Sequence, residues 1–111
     1  MTKTNIDTAD YEPFIEDGVQ LGLVHWLRQE RTEDTVHLSG LWKAEPGAVP
    51  ESFDYPFHTD ETIQVLEGSV TIDFPEAPSV TLNVGDLASF TKGSTSTWHV
   101  QTPFKKFFVC S

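Results

Sequence analysis

Val70, Ile72 and Phe74 are apolar, and Thr71 and Asp73 between them are polar. A period of two sends successive side chains to opposite faces, the pattern of a half-buried β-strand. Similar segments rich in Val, Ile, Thr, Phe and Trp fill most of the chain, as pleated surfaces favour. They are cut by breakers at Pro46-Gly47, Pro56, Gly68, Pro75 with Pro78, Gly85-Asp86, Gly93 and Pro103. That spacing is close to the roughly 8–12 residues of a sandwich or barrel of short strands. It predicts strands near 35–43, 53–57, 61–67, 69–74, 79–83, 87–91, 95–101 and 104–110. Gly68 is expected to supply the positive φ of a hairpin turn between the third and fourth of these, and Gly85 and Gly93 to do the same in later loops.

The segment Leu21–Arg31 fits two periods. Leu21, Val24 and Leu27 suit a helix, whereas Leu21, Leu23, His25 and Leu27 suit one face of a strand. We read it as a strand. Residues 1–18 are polar and carry five acids against Lys3, so they read as an acidic arm docked through Tyr11, Phe14 and Ile15 and otherwise loose. Residues 19–111 then form one domain. Eight or so short antiparallel strands cannot leave long edges bare, which makes the fold class all-β and the architecture a closed barrel or jelly roll.

Three motifs follow in order: Ser39-Gly-Leu-Trp-Lys-Ala-Glu-Pro-Gly47, Asp60-Glu-Thr-Ile-Gln-Val-Leu-Glu-Gly68 and Val84-Gly-Asp-Leu-Ala-Ser-Phe-Thr-Lys-Gly93. Trp98-His-Val and Pro103-Phe-Lys-Lys-Phe-Phe108 close the series. Over roughly residues 35–110 the chain resembles a small single-domain cupin, and more narrowly the branch of the cupin domain of (S)-ureidoglycine aminohydrolase. The resemblance implies a jelly-roll β-barrel.

The resemblance also implies where a metal would sit. Metal-dependent cupins supply His-x-His and then a Glu from the first motif, and another His after Pro-x-Gly from the second. Glu61 stands at the Glu position, six residues before Gly68. The two histidine slots hold Tyr55 and Phe57, or Asp54 and Pro56 with the longer gap. In the second motif Thr91 replaces the Pro and Ser96 fills the histidine slot. The ureidoglycine aminohydrolase set of Glu, His, His and Gln fares no better, since its first-motif positions fall on Tyr55, Phe57 and Glu61. A lone carboxylate does not hold a transition metal against water, so neither a metal nor a cofactor is expected. Strand parity turns His58 and His99 away from the face shared by Tyr55, Phe57 and Glu61, and sends Trp98 inward with Ser96.

The candidate catalytic residues are Glu61 as general acid or base, with Tyr55 or Lys106 as its partner. Trp42, Phe57, Ser96 and Trp98 are the candidate ligand-binding residues, offering flat rings and one hydroxyl to a small molecule. Lys106 falls at the Lys of the closing motif, but Phe104, Lys106, Phe108 and Lys105, Phe107, Val109 are equally amphipathic sets, and the sequence leaves both facings open.

Charge narrows the partners. Seven Lys and Arg against seventeen Asp and Glu give −10 over 111 residues. Such a surface repels phosphate backbones and anionic headgroups, so nucleic acid and membrane are not expected partners. One cysteine, Cys110, builds neither an internal disulfide nor a thiolate zinc site, and it is expected to be an inert thiol. The N-terminal residues lack the apolar stretch of a signal peptide, so the expected location is the cytoplasm. A homodimer is expected, by analogy with related cupins and because a small barrel has few other ways to cover its edge strands. Three functions remain in play: a binder of a small polar metabolite with a degraded metal site, a metal-free or weakly metal-dependent hydrolase, isomerase or lyase using Glu61 with Tyr55 or Lys106, and a structural or regulatory barrel packed shut by its own aromatic side chains.

Overall fold

A computed structural model describes residues 1–111. The chain is all-β, with eight antiparallel strands: β1 (Glu12–Glu16), β2 (Val19–Arg31), β3 (Val36–Ala44), β4 (Phe53–Asp54), β5 (Glu61–Phe74), β6 (Ala77–Leu82), β7 (Leu87–Phe90) and β8 (Thr97–Cys110). No helix is long and apolar enough to cross a membrane.

Two long strands organise everything else. β5 and β8 have fourteen residues each and pair with one another along their whole length. Each changes its second partner halfway. The first half of β5 pairs with β7 and its second half with β6. The first half of β8 pairs with β4 and its second half with β3, from which β2 and β1 continue outward. The halves pack against a common core drawn from both, including Ile63, Val65, Phe104 and Phe108 on one side and Val70, Ile72 and Trp98 on the other.

The change of partner coincides with a bulge, which corrects the reading of Gly68 as a hairpin turn. Residues 61–74 form one strand, and 97–110 form another; neither is two strands joined by a turn. Pairing skips at Glu67/Ser69, opposite the stretch around Pro103. Pro103 has no N–H to give the ladder, so the partner strand must bulge there. Gly68 sits in the bulge with φ of 73°, and a Cβ on it would lie 2.4 Å from the Pro103 carbonyl oxygen and 2.6 Å from that of Gln101. Only a residue without a side chain fits. The bulge shifts inward parity from Glu61, Ile63 and Val65 to Val70 and Ile72.

Leu21–Arg31 is strand, as read. A second glycine, Gly22, has φ of 72° and lies where a Cβ would be 2.9 Å from the Trp42 ring. Beyond it Val24 is buried against the core, whereas His25 lies on the outer face, where its Nδ1–H donates to the Asp10 carbonyl at 2.6 Å and its ring meets that of Tyr11 edge-on. In the acidic N-terminal segment Tyr11 and Phe14 dock as expected, but Ile15 is 56% exposed and does not, and residues 12–16 are a regular strand, β1, hydrogen-bonded to β2. The strand expected over 53–57 is regular only at Phe53–Asp54, because Pro56 interrupts the ladder. Even so, Tyr55 N–H donates to the Ser96 carbonyl at 2.8 Å and Phe57 N–H to that of Ser94 at 2.9 Å, which holds the segment against the start of β8.

Candidate functional site

Between the two halves lies a cavity of about 590 Å³. Its floor is made by β5, β8 and the segment after β4; its outer wall is made by β1 and β2. Tyr55, Phe57 and Glu61 all border the cavity, but not through strand parity, since 55–60 is not regular strand and Pro56, His58 and Thr59 border it as well. From β8 the Phe104, Lys106, Phe108 set faces in, which settles the choice the sequence left open. The deciding factor is register. Lys106 lies opposite Val65 of β5 and Trp42 of β3, both buried, so it shares their face.

Three polar side chains meet there in a closed triangle. The Tyr55 hydroxyl donates to Glu61 Oε1 at 2.7 Å. Lys106 Nζ donates to Glu61 Oε2 at 2.9 Å and to the Tyr55 oxygen at 3.4 Å. Only 4% of the Lys106 and of the Glu61 side chain is exposed. An ion pair this deep survives only when its remaining valences are also satisfied, and here the phenol supplies that bond to the carboxylate. Burial pushes the Tyr55 hydroxyl well above the usual tyrosine range, and the Glu61 charge pushes it further, so it stays a proton donor at neutral pH.

Aromatic rings enclose the triangle. The Lys106 Nζ lies 4.6 Å from the ring centroid of Trp98, 5.0 Å from Tyr55, 5.5 Å from Trp42 and 5.8 Å from Phe108. Tyr55 stacks on Trp98 at 4.5 Å, and Phe57 stacks on Phe90 at 4.6 Å. Trp42 is fixed by its indole N–H, which donates to the Leu21 carbonyl at 2.9 Å. Ser96 plays a different part from the one expected. Its hydroxyl donates to the Tyr55 carbonyl at 2.8 Å and accepts from the Trp98 indole at 3.0 Å, so it orients two wall residues and does not itself face the cavity.

Other parts of the wall were not anticipated. Phe14, Glu16 and Asp17 come from β1 and the turn after it, and Trp26 comes from β2. Trp26 was open to discovery, since it follows Val24 at a spacing of two; Phe14 was expected to dock the arm, but not to line a cavity. His58 was expected on the opposite face, but the chain leaves the strand after Pro56 and His58 is an exposed residue on the rim. His99 is on the outside, where Nε2 meets Asp73 Oδ2 at 2.6 Å. Ser79 also donates to Asp73, and these two contacts, that of Ser79 first, hold the Asp73 carboxyl below its usual range. Cys110 lies opposite Glu61 in the β5–β8 register, and burial, followed by the Glu61 charge, pushes its thiol upward.

A transition metal does not fit this donor set. Both oxygens of Glu61 are already taken by Tyr55 and Lys106, and an ammonium stands beside the carboxylate where a second ligand would be needed. No three His, Cys, Asp or Glu side chains converge anywhere in the chain.

Residues 31–108 match the model of the EutQ-like cupin domain. The chain belongs to that family. This cupin is similar to several solved structures. A DUF861 family protein from Thermotoga maritima is 31% identical over 61% of this chain and 73% of its own, with a TM-score of 0.54. A protein of unknown function from Rhizobium leguminosarum is 19% identical over 99% of this chain and 95% of its own, with a TM-score of 0.68. A putative ethanolamine utilization protein Q from Salmonella typhimurium is 18% identical over 93% of this chain and 94% of its own, with a TM-score of 0.61. At identities this low the latter two speak for the cupin fold alone. No curated protein matches the chain.

Proposed function

We propose that this cupin binds a small polar metabolite in the cavity between its two halves, without a metal. The observation that carries the reading is the cavity itself. A barrel filled by its own aromatic side chains would leave no such space, yet about 590 Å³ remains above Tyr55, Glu61 and Lys106. That volume falls within the roughly 300–1,000 Å³ of small-molecule sites, and its make-up is typical of them: apolar rings with a few convergent polar groups. Tyr55 and Trp42 are the residues we assign to ligand contact, backed by Phe57, Trp98 and Lys106, which are buried behind them, with Ser96 orienting Tyr55 and Trp98.

The second reading, a metal-free hydrolase, isomerase or lyase of the ureidoglycine aminohydrolase kind, has less support. Glu61 would be its general base, but both carboxylate oxygens are held by internal donors and must first be released. Two of the three ureidoglycine aminohydrolase positions in the first motif carry Tyr55 and Phe57.

Ligand-observed NMR against a panel of small carboxylates, amides and amines tests the proposal. At least one compound should bind, and Trp26→Ala in the outer wall should weaken it. A panel with no binder, or a binder whose protein shifts map outside the cavity, would count against the reading.

A further inference from the structure

The Lys106 ammonium is surrounded in a way that describes a cation site. One carboxylate oxygen lies 2.9 Å away and one phenol oxygen 3.4 Å away, and four aromatic faces stand within 5.8 Å. Aromatic faces attract cations through the ring quadrupole out to roughly 6 Å, and significant instances arise about once per 70–80 residues. Here four such contacts converge on one nitrogen. They come from separate elements: Trp42 on β3, Tyr55 after β4, Trp98 and Phe108 on β8. Side chains gathered from three segments around one point are a built site, and the neighbour that gives it sign is Glu61.

We propose that this cage is a binding site for a primary alkylammonium ion, filled in the native chain by the lysine's own side chain. Lys106 is on this account the resident cation of the barrel, tethered by its own covalent stem. The inference does not depend on a metabolite entering the cavity, so it stands or falls apart from the function proposed above.

Lys106→Ala removes Cγ, Cδ, Cε and Nζ, the atoms of n-propylammonium. The probe is n-propylammonium chloride, followed by thermal melting and calorimetric titration of the folded variant, with ionic strength held constant by sodium chloride. The neutral control of nearly the same shape is n-propanol. The alanine variant should melt below the parent, and n-propylammonium should restore much of the difference. It should bind at least about tenfold more tightly than n-propanol, because the cage selects charge as well as shape. Lys106→Met, whose side chain fills the slot, should be indifferent to both. Equal effects of the amine and the alcohol, or a folded alanine variant indifferent to both, would overturn the proposal.

Should the alanine variant fail to fold, the unaltered protein supplies the second measurement. With ¹⁵N-labelled lysine, Lys106 should give a charged ammonium signal at neutral pH. Its hydrogens should exchange at least about tenfold more slowly than those of the other four lysines, as buried groups released only by opening do. A neutral amine signal, or exchange as fast as in the other lysines, would overturn the proposal without any variant.

Discussion

Lys106 and Glu61 meet at 2.9 Å inside the barrel, each with 4% of its side chain exposed. Their strands are adjacent, but the two residues are not opposite one another. Lys106 lies across from Val65 and Glu61 across from Cys110, so the lysine stem runs diagonally along the strand to reach its partner. The pair therefore ties separate points of the two organising strands.

Glu61→Gln should be severely destabilising, because it leaves the ammonium buried without a counter-charge. Breaking a buried pair costs about 3–5 kcal/mol, and in a domain of this size each kcal/mol moves Tm by roughly 4–8 °C. A fall in Tm of more than roughly 10 °C is expected. Glu61→Gln/Lys106→Met should regain at least half of that loss, since it removes the stranded charge as well. Denaturant melts of the two single variants and the double variant check this; simple additivity would refute it.

Tyr55→Phe deletes the 2.7 Å bond to Glu61 Oε1, and a hydrogen bond to a charged group is worth about 1.5–3 kcal/mol. The same variant has a signature in pH. Tyr55 is raised well above its ordinary value in the folded protein, by burial first and Glu61 second. Below about pH 10 both states keep the proton, so stability is unaffected there. Above it the unfolded chain releases the proton and the folded one does not, so stability falls as pH rises. Tyr55→Phe should flatten that alkaline decline. Tyr11 and Cys110, each raised chiefly by burial, should leave a residual slope. Unfolding measured between pH 8 and 11 reads the difference.

Gly68→Ala should cost at least about 3 kcal/mol, because strain at a left-handed φ is joined by backbone carbonyls that cannot move aside. Gly47 is the control. Its φ is 80°, but nothing lies within 4 Å of an added Cβ. Gly47→Ala should cost only the conformational strain, about 1–2 kcal/mol. Chemical denaturation of both variants should separate close approach from φ alone; equal losses would mean the bulge tolerates a side chain.

Protein purified without a chelating tag should carry no stoichiometric manganese, iron, zinc or nickel. The ground is the donor set, in which Glu61 is already engaged by Tyr55 and Lys106. Elemental analysis decides, and a stoichiometric transition metal would show that the triangle opens to admit one.

How much of this was legible beforehand depended on range. Alternation along β8 sent Trp98 inward, because strand parity is a local property, whereas Tyr55, Phe57 and Glu61 reach one cavity across a stretch, 55–60, that is not regular strand. The facing of Lys106 was not legible, since Lys105 and Lys106 lie in equally amphipathic sets and only register against β3 and β5 distinguishes them. Gly68 was misread for a related reason. A glycine between two β segments looks the same in a hairpin and in a bulge, and the residue that decides is Pro103, far along the chain. β1 escaped notice because five acids among residues 1–18 masked a strand whose inward contact is Phe14.

β1 is held on one side only, by β2, and its pairing is already interrupted between Pro13 and Ile15. Phe14 and Glu16 of that strand, and Asp17 beside it, nevertheless border the cavity. Part of the wall that borders the cavity is thus carried by a strand that the β5–β8 ladder does not hold. A change in β1 would therefore reshape the edge of the cavity without touching the pairing of β5 with β8 or the triangle around Lys106.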